Sequence, residues 1–203
     1  MDRERPSDAL TGLVLAGGAS RRMGRNKAFL QLEGRSLIEI VLERTMDVCA
    51  EVLIVAGEVS PYVGLGARVV EDRFPGVGVL GGLHAGLHAA SHDLSLAVGC
   101  DMPFVEPDLL VAFAGWAVGF DVALLRHGRY TEPLHAAYRR TCLPAIERAI
   151  TGGAHRVISF FPDVRVRYVT LPEVKVIDPH LNSFRNVNTP REWEAIRETW
   201  SDS

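Results

Sequence analysis

The side chains best suited to chemistry concentrate first in the run Leu15-Ala16-Gly17-Gly18-Ala19-Ser20-Arg21-Arg22-Met23-Gly24-Arg25-Asn26-Lys27. Glycines let backbone N–H groups approach an anion closely, and Arg21, Arg22, Arg25 and Lys27 carry enough positive charge to neutralise phosphates. A triphosphate-binding loop fits that combination. The glycine spacing is not the dinucleotide GxGxxG, and the Gly-Lys-Ser/Thr ending of a Walker loop is absent. Glycine and arginine by themselves are equally compatible with a solvated basic loop behind a tight strand end.

A second candidate is Cys100-Asp101-Met102-Pro103, at the end of an apolar run. A carboxylate at the C-terminal end of a strand is where open α/β sheets place ligand groups. With waters and substrate phosphates it suffices to hold Mg2+, so Asp101 is the expected metal ligand; the alternative is a turn or helix cap before Pro107. Between these stretches lies Glu71 to Leu83, where Gly76, Gly78, Gly81 and Gly82 lead into a helix. Small residues there allow a base or ribose to lie against main chain, or a helix to pack tightly on the sheet, and Asp72 is the polar candidate. Late in the chain, Phe184-Arg185-Asn186-Val187-Asn188-Thr189-Pro190 puts Asn186 and Asn188 on one face of an extended segment, for capping or for metal and substrate.

Other residues take a plainer reading. His84, His88 and His92 recur every four residues but lack an acidic or cysteine partner that would complete a metal set, so they read as solvated or core-edge histidines. Ser20 has no GxSxG context and Cys100 no identifiable base, which gives no support for a hydrolase.

Elements must hold these candidates in place. Thr11 to Ala16 is a buried strand ending in Gly17-Gly18; Phe29 to Arg35 is a hairpin; Ser36 caps a helix that reaches Val48, with Leu37, Ile40, Val41 and Arg44 on neighbouring turns. Val52–Ala56, Arg68–Val70 and Leu94–Val98 read as strands, with a helix from Leu80 to Ala90. Alternating strands and helices call for a parallel sheet covered on both faces. Further on, a helix follows Pro107, a strand runs from Asp121 to Leu125, and Pro133 to Tyr138 alternates less cleanly. A helix over Thr141–Ile150, a strand over Val164–Val169 and a helix over Pro190–Trp200 complete the series. Residues 9–200 are expected to form one domain.

Composition narrows the class. The chain has 203 residues, 47% apolar and 23% charged, enough for a core that needs no disulfide or metal. The net charge of -3, with both signs interspersed, argues against a nucleic-acid partner. Cys49, Cys100 and Cys142 are widely spaced without CxxC pairs, which suits a reducing cytoplasm rather than a disulfide framework or zinc site. No apolar run reaches membrane-spanning length, so neither export nor a membrane association is expected. Trp116, Trp193 and Trp200 are read as core rather than interface.

Taken together, Leu15-Ala-Gly-Gly with Arg22-Met-Gly-Arg-Asn-Lys27, Pro75-Gly with Leu80-Gly-Gly, Cys100-Asp-Met-Pro103 and Asn186-Val-Asn-Thr-Pro190 resemble the molybdenum cofactor guanylyltransferase family over about residues 11–198. The first loop alone indicates only the wider nucleotidyltransferase group; the late asparagines narrow it. The resemblance implies a Rossmann-like α/β domain, a three-layer sandwich with a mostly parallel sheet. It also implies transfer of GMP from GTP to the phosphate of molybdopterin or its molybdenum-loaded form, with Mg2+ and release of pyrophosphate. By the same resemblance, Leu15, Ala16 and Gly17 contact nucleotide and Lys27 binds phosphate; Gly18 and Gly81 are further nucleotide-binding candidates, and Arg22 is expected to join Lys27 in stabilising phosphoryl charge. Asp72 also contacts nucleotide, Asp101 holds the metal, and Asn186 and Asn188 lie on the pterin side. Transient contact with molybdenum-cofactor insertion proteins belongs to the same expectation. The chain departs from the family where an asparagine usually follows the second strand: Val55 or Gly57 stands there. That keeps a cytidylyltransferase for the same cofactor as a rival, followed by a sugar-phosphate nucleotidyltransferase and, from another class, a GTP-binding adaptor that delivers cofactor without chemistry.

Overall fold

A computed structural model describes residues 9–17 and 26–200. Strand β1 (Leu10–Leu15) is followed by the two-residue strands β2 (Gln31–Leu32) and β3 (Arg35–Ser36), which pair antiparallel as the expected hairpin. Helix α1 (Leu37–Met46) opens with a full capping box, Ser36 and Glu39 bonding each other's backbone N–H, and ends two residues before the expected Val48. Then come β4 (Glu51–Ala56), β5 (Arg68–Glu71), α2 (Val79–Ala89), β6 (Leu94–Gly99) and α3 (Pro107–Trp116).

The remainder is β7 (Val122–His127), β8 (Tyr130–Arg139), α4 (Leu143–Thr151), β9 (Val166–Val169), α5 (Leu171–Lys175) and α6 (Pro190–Trp200). Pro133 to Tyr138, the segment of imperfect alternation, is the body of β8. The strand is irregular: its register with β7 shifts between Ala123 and Leu125, and His135 adopts a positive φ of 61°. A 3-10 turn at Arg140–Cys142 takes the start of the helix expected from Thr141.

Seven strands form one sheet in the order β5-β4-β1-β6-β8-β7-β9. β5, β4, β1 and β6 are mutually parallel; β8 runs antiparallel to both neighbours, which returns β7 and β9 to the direction of β6. Side chains alternate between two buried layers. Val14, Ile54 and Val98 face α1, α3 and α5, while Leu13, Leu53 and Ala97 face α2, α4 and the 3-10 segment Val157–Asp163. The sheet is thus the middle of three layers. A third cluster, Leu30, Leu32, Leu37, Phe104, Val187 and Ile196 with Trp193 and Trp200, fastens α6 over the β2–β3 hairpin; Trp116 packs edge-on against Phe113 at 5.1 Å. All three tryptophans therefore pack on the core, as read from the sequence. No helix of the described residues is long and apolar enough to cross a membrane.

Candidate functional site

The chain builds outward from β1 to β4 and β5 along one side, then returns by α2 to lay β6 on the other side of β1. That reversal leaves a crevice at the carboxyl ends of β1 and β6, the place where a doubly wound sheet binds ligands. Ala16 and Gly17 leave the end of β1, and Asp101 follows β6, with Cys100 N–H donating to Leu15 O at 3.1 Å. Gly99 has no space for a side chain, since a β-carbon would lie 2.5 Å from Asp101 Oδ1.

Lys27 enters this crevice from a 3-10 turn, Lys27–Phe29. Its ammonium donates to Asp101 Oδ2 in an ion pair and to Asn188 Oδ1 at 3.1 Å. Asp101 is buried, at 7% exposure, so the contact with Lys27 supplies charge compensation that water cannot. Its own carbonyl accepts from Val187 N–H at 3.0 Å, which docks the late-asparagine segment on the end of β6. Three separated stretches, Lys27, Asp101 and Asn188, thus meet. The capping role falls to Thr189, whose Oγ1 accepts from Glu192 N–H while the Glu192 carboxylate accepts from Asn188 and Thr189 N–H. Asn188 has its side chain left for Lys27. Asn186 Oδ1 is buried without a hydrogen-bond partner among the described residues.

Asp72 stands apart from that meeting point, at the end of β5, with its N–H bonded to Ala56 O at 2.9 Å. Burial raises its carboxyl above the usual carboxylate range, opposed by the Phe74 N–H and by His84. A β-carbon at Gly81 would lie 2.9 Å from Asp72 Oδ1, and one at Gly86 would lie 2.8 Å from Leu13 Cδ1. The small residues of α2 therefore serve close packing here, whereas Gly76 and Gly78 take positive φ in the turn before it. Gly18 and Arg22 lie outside the described residues.

Two side chains that sequence reasoning missed join the ends of the first loop. Tyr62, buried at 3% exposure, donates its hydroxyl to Ala16 O at 3.1 Å and accepts from Asn26 Nδ2 at 2.9 Å, while its ring stacks on Phe29 at 5.5 Å. Asn26 Oδ1 in turn accepts from Ala28 N–H. Asn26 preceding a short turn carried a capping signal; Tyr62 carried none, because its role depends on tertiary proximity. His84 bonds Glu147 at 3.1 Å and His92 bonds Thr11 at 2.9 Å, in keeping with core-edge histidines, and no cluster of metal-binding residues forms among the described residues. Burial pushes the Cys100 thiol up to about 12, which leaves it inert as a nucleophile.

A lysine and a buried carboxylate at the switch point, beside a strand that ends in glycine, suit phosphoryl chemistry on a nucleotide, and similarity to known proteins makes the chain a nucleotidyltransferase. The chain belongs to the MobA-like NTP transferase domain family, whose model matches residues 12–166. It is 41% identical over 187 residues to a probable molybdenum cofactor guanylyltransferase of Pelotomaculum thermopropionicum, covering 92% of this chain and 91% of that one. The solved structure of molybdopterin-guanine dinucleotide biosynthesis protein A from Archaeoglobus fulgidus superposes with a TM-score of 0.84 at 31% identity, covering 95% of this chain and all of that one. A 2-C-methyl-D-erythritol 4-phosphate cytidylyltransferase from Thermus thermophilus shares the fold at a TM-score of 0.69 and 20% identity, covering 94% and 98%.

Proposed function

We propose that this chain is a molybdenum cofactor guanylyltransferase: it transfers GMP from GTP to the terminal phosphate of molybdopterin and releases pyrophosphate. The convergence of Lys27, Asp101 and Asn188 carries the reading, supported by 41% identity over nearly the whole chain to a probable enzyme of that name. A phosphate oxygen of the acceptor attacks the α-phosphorus in line; one P–O bond forms as the bond to the pyrophosphate oxygen breaks. The acceptor phosphate is already ionised, so no general base is needed. Catalysis then rests on positioning and on charge.

Nucleotidyltransferases of this type use a divalent metal, here proposed as Mg2+. The donor set fits one: a buried carboxylate on Asp101, with the unpartnered Asn186 Oδ1 in the segment docked on it. Magnesium needs no more protein oxygens, because it keeps waters and takes the rest of its ligands from phosphates. A metal held by Asp101 and Asn186 would supply charge neutralisation to the triphosphate. Lys27, and Arg22 with it, hold the charge that develops on the phosphoryl oxygens; Asn188 orients the lysine. Leu15, Ala16, Gly17 and Gly18 offer main chain to the nucleotide, while Asp72 and Gly81 lie on its base and ribose side.

Guanine selection takes an unusual form in this reading. Val55 is 1% exposed and packed beneath α2, so it is unable to meet a base, and Gly57 offers only backbone. Selection therefore falls to main-chain groups around residues 76–82. The free, buried cysteines suit a cytoplasmic enzyme with residues 9–200 as its domain, handing its product to insertion proteins. Pyrophosphate release is to be measured from GTP, CTP and ATP separately, each with magnesium and molybdopterin and each against an acceptor-free control. Acceptor-dependent release from GTP is expected. Release from CTP alone would replace the reading with a cytidylyltransferase, and none from any nucleotide would leave the adaptor.

A further inference from the structure

Because β7 runs parallel to β6, its carboxyl end and the start of β8 sit on the same sheet edge as Asp101. A hollow of about 310 Å³ opens there, within the range of small-ligand sites. Leu125, Leu171, Leu181 and Phe184 give it apolar walls, and its polar groups are His127, Tyr130 and one carboxylate, Glu132, which is paired across the strands with Leu125. Phe184 also lines the neighbouring hollow of about 360 Å³ that contains Asn186 and Asn188, so one ring wall separates this space from the segment holding Lys27. That ring is braced from behind by buried His135, at 5.2 Å between centroids, and His135 leans on Phe113 at 5.7 Å. Glu132 is half-buried and no described residue donates to its carboxylate, which burial pushes above the usual range.

We propose that this hollow is the subsite for the flat heterocycle of the acceptor, with Glu132 accepting hydrogen bonds from the ring's N–H edge. The inference rests on the acceptor reading above and gives it a recognition mechanism. A 2-amino-4-oxo pyrimidine edge presents a ring N–H and an amino N–H side by side, the donor pair that a carboxylate accepts with both oxygens. Phe184 supplies the face on which such a ring lies, and the leucines exclude water from it. The acceptor phosphate then points past Phe184 toward Lys27 and Asp101. Arranged so, Glu132 determines which acceptor is accepted while leaving the nucleotide untouched.

The test compares two competitors of molybdopterin in GTP-dependent pyrophosphate release: 6-carboxypterin and 6-carboxylumazine, which has a carbonyl in place of the amino group. The wild-type enzyme is expected to bind the pterin about tenfold more tightly, the worth of one charge-assisted hydrogen bond. Glu132→Gln, nearly the same shape, is expected to abolish that preference and raise the acceptor KM about tenfold, with the KM for GTP unchanged. A wild-type enzyme indifferent to the two rings, or a Glu132→Gln enzyme that keeps the preference, overturns the subsite while leaving the transferase reading intact. No release with molybdopterin from the wild-type enzyme overturns the acceptor reading, and this subsite with it.

Discussion

The two halves of the sheet solve different problems. In β5-β4-β1-β6 every strand is parallel, β4, β1 and β6 are buried, and the carboxyl ends of β1 and β6 carry Gly17 and Asp101 to the crevice while those of β4 and β5 carry Gly57 and Asp72 to one side of it. In β8-β7-β9 the direction alternates, β8 is irregular, and a histidine sits in a left-handed conformation within the core. The regular half gains precision because crossover helices on both faces fix where each strand ends. The mixed half gives up regularity and, with it, forms a hollow beside the crevice. Transfer chemistry depends on the first arrangement, and shaping of the acceptor space on the second.

The sharpest way to break this contrast is Asp101→Asn, which removes the carboxylate charge that faces Lys27 and little of the crevice's volume. Loss of a group that organises transition-state charge is expected to lower kcat roughly 100- to 1,000-fold, checked at saturating substrates across a magnesium titration; full activity with unchanged magnesium dependence would end the assignment.

The mixed half answers through stability instead. Burial depresses His135 to about 4, against an opposing pull from Asp178. A histidine with a folded value below its unfolded one stabilises above about pH 6.5, and that contribution is lost as pH falls toward 4, because the unfolded chain takes up the proton first. It amounts to about 3 kcal/mol. Urea unfolding between pH 7 and 4 is expected to show that loss, and His135→Asn, which tolerates positive φ, to flatten it relative to the wild type.

Gly12→Ala probes the regular half without touching the crevice. The added β-carbon would collide with Thr45 Cγ2 and crowd Cys49 Sγ and Val52 Cγ2, each 3.3 Å away. Overpacking of this kind costs about 1–3 kcal/mol, so a lowered urea midpoint with little change in the KM for GTP is expected. The smallest effect belongs to Tyr62→Phe, which keeps the stack on Phe29 and loses the bonds to Ala16 and Asn26. About 1 kcal/mol corresponds to a fivefold rise in the KM for GTP, with the acceptor KM unmoved.

Legibility in the sequence followed the same division. Thr11–Ala16, Val52–Ala56 and Leu94–Val98 were visible as short apolar runs, and their lengths matched the strands to within a residue or two, because a strand buried on both faces has no polar alternation to confuse. Ser36 announced α1 as its cap, and the structure adds the reciprocal partner Glu39. β8 was blurred because the positive φ at His135 and the shift against β7 interrupt a period of two, and such faults are set by partners elsewhere in the chain. The short helix α5 and the 3-10 segment at Val157–Asp163 were missed for lack of a periodic face. Lys27, Asp101 and Asn188 were each picked out by residue type and motif, but that lysine bonds both of the others is tertiary information. Tyr62 and Glu132 went unseen, since neither carries a motif.

The bond from Val187 N–H to Asp101 O belongs to the main chain and is indifferent to side-chain identity. A side chain exchanged beside it therefore leaves in place the bond that sets the register of the tail on β6. Position and chemistry in this segment thus come from different atoms: its backbone sets where the tail lies, and the Asn188 side chain sets what it does to Lys27.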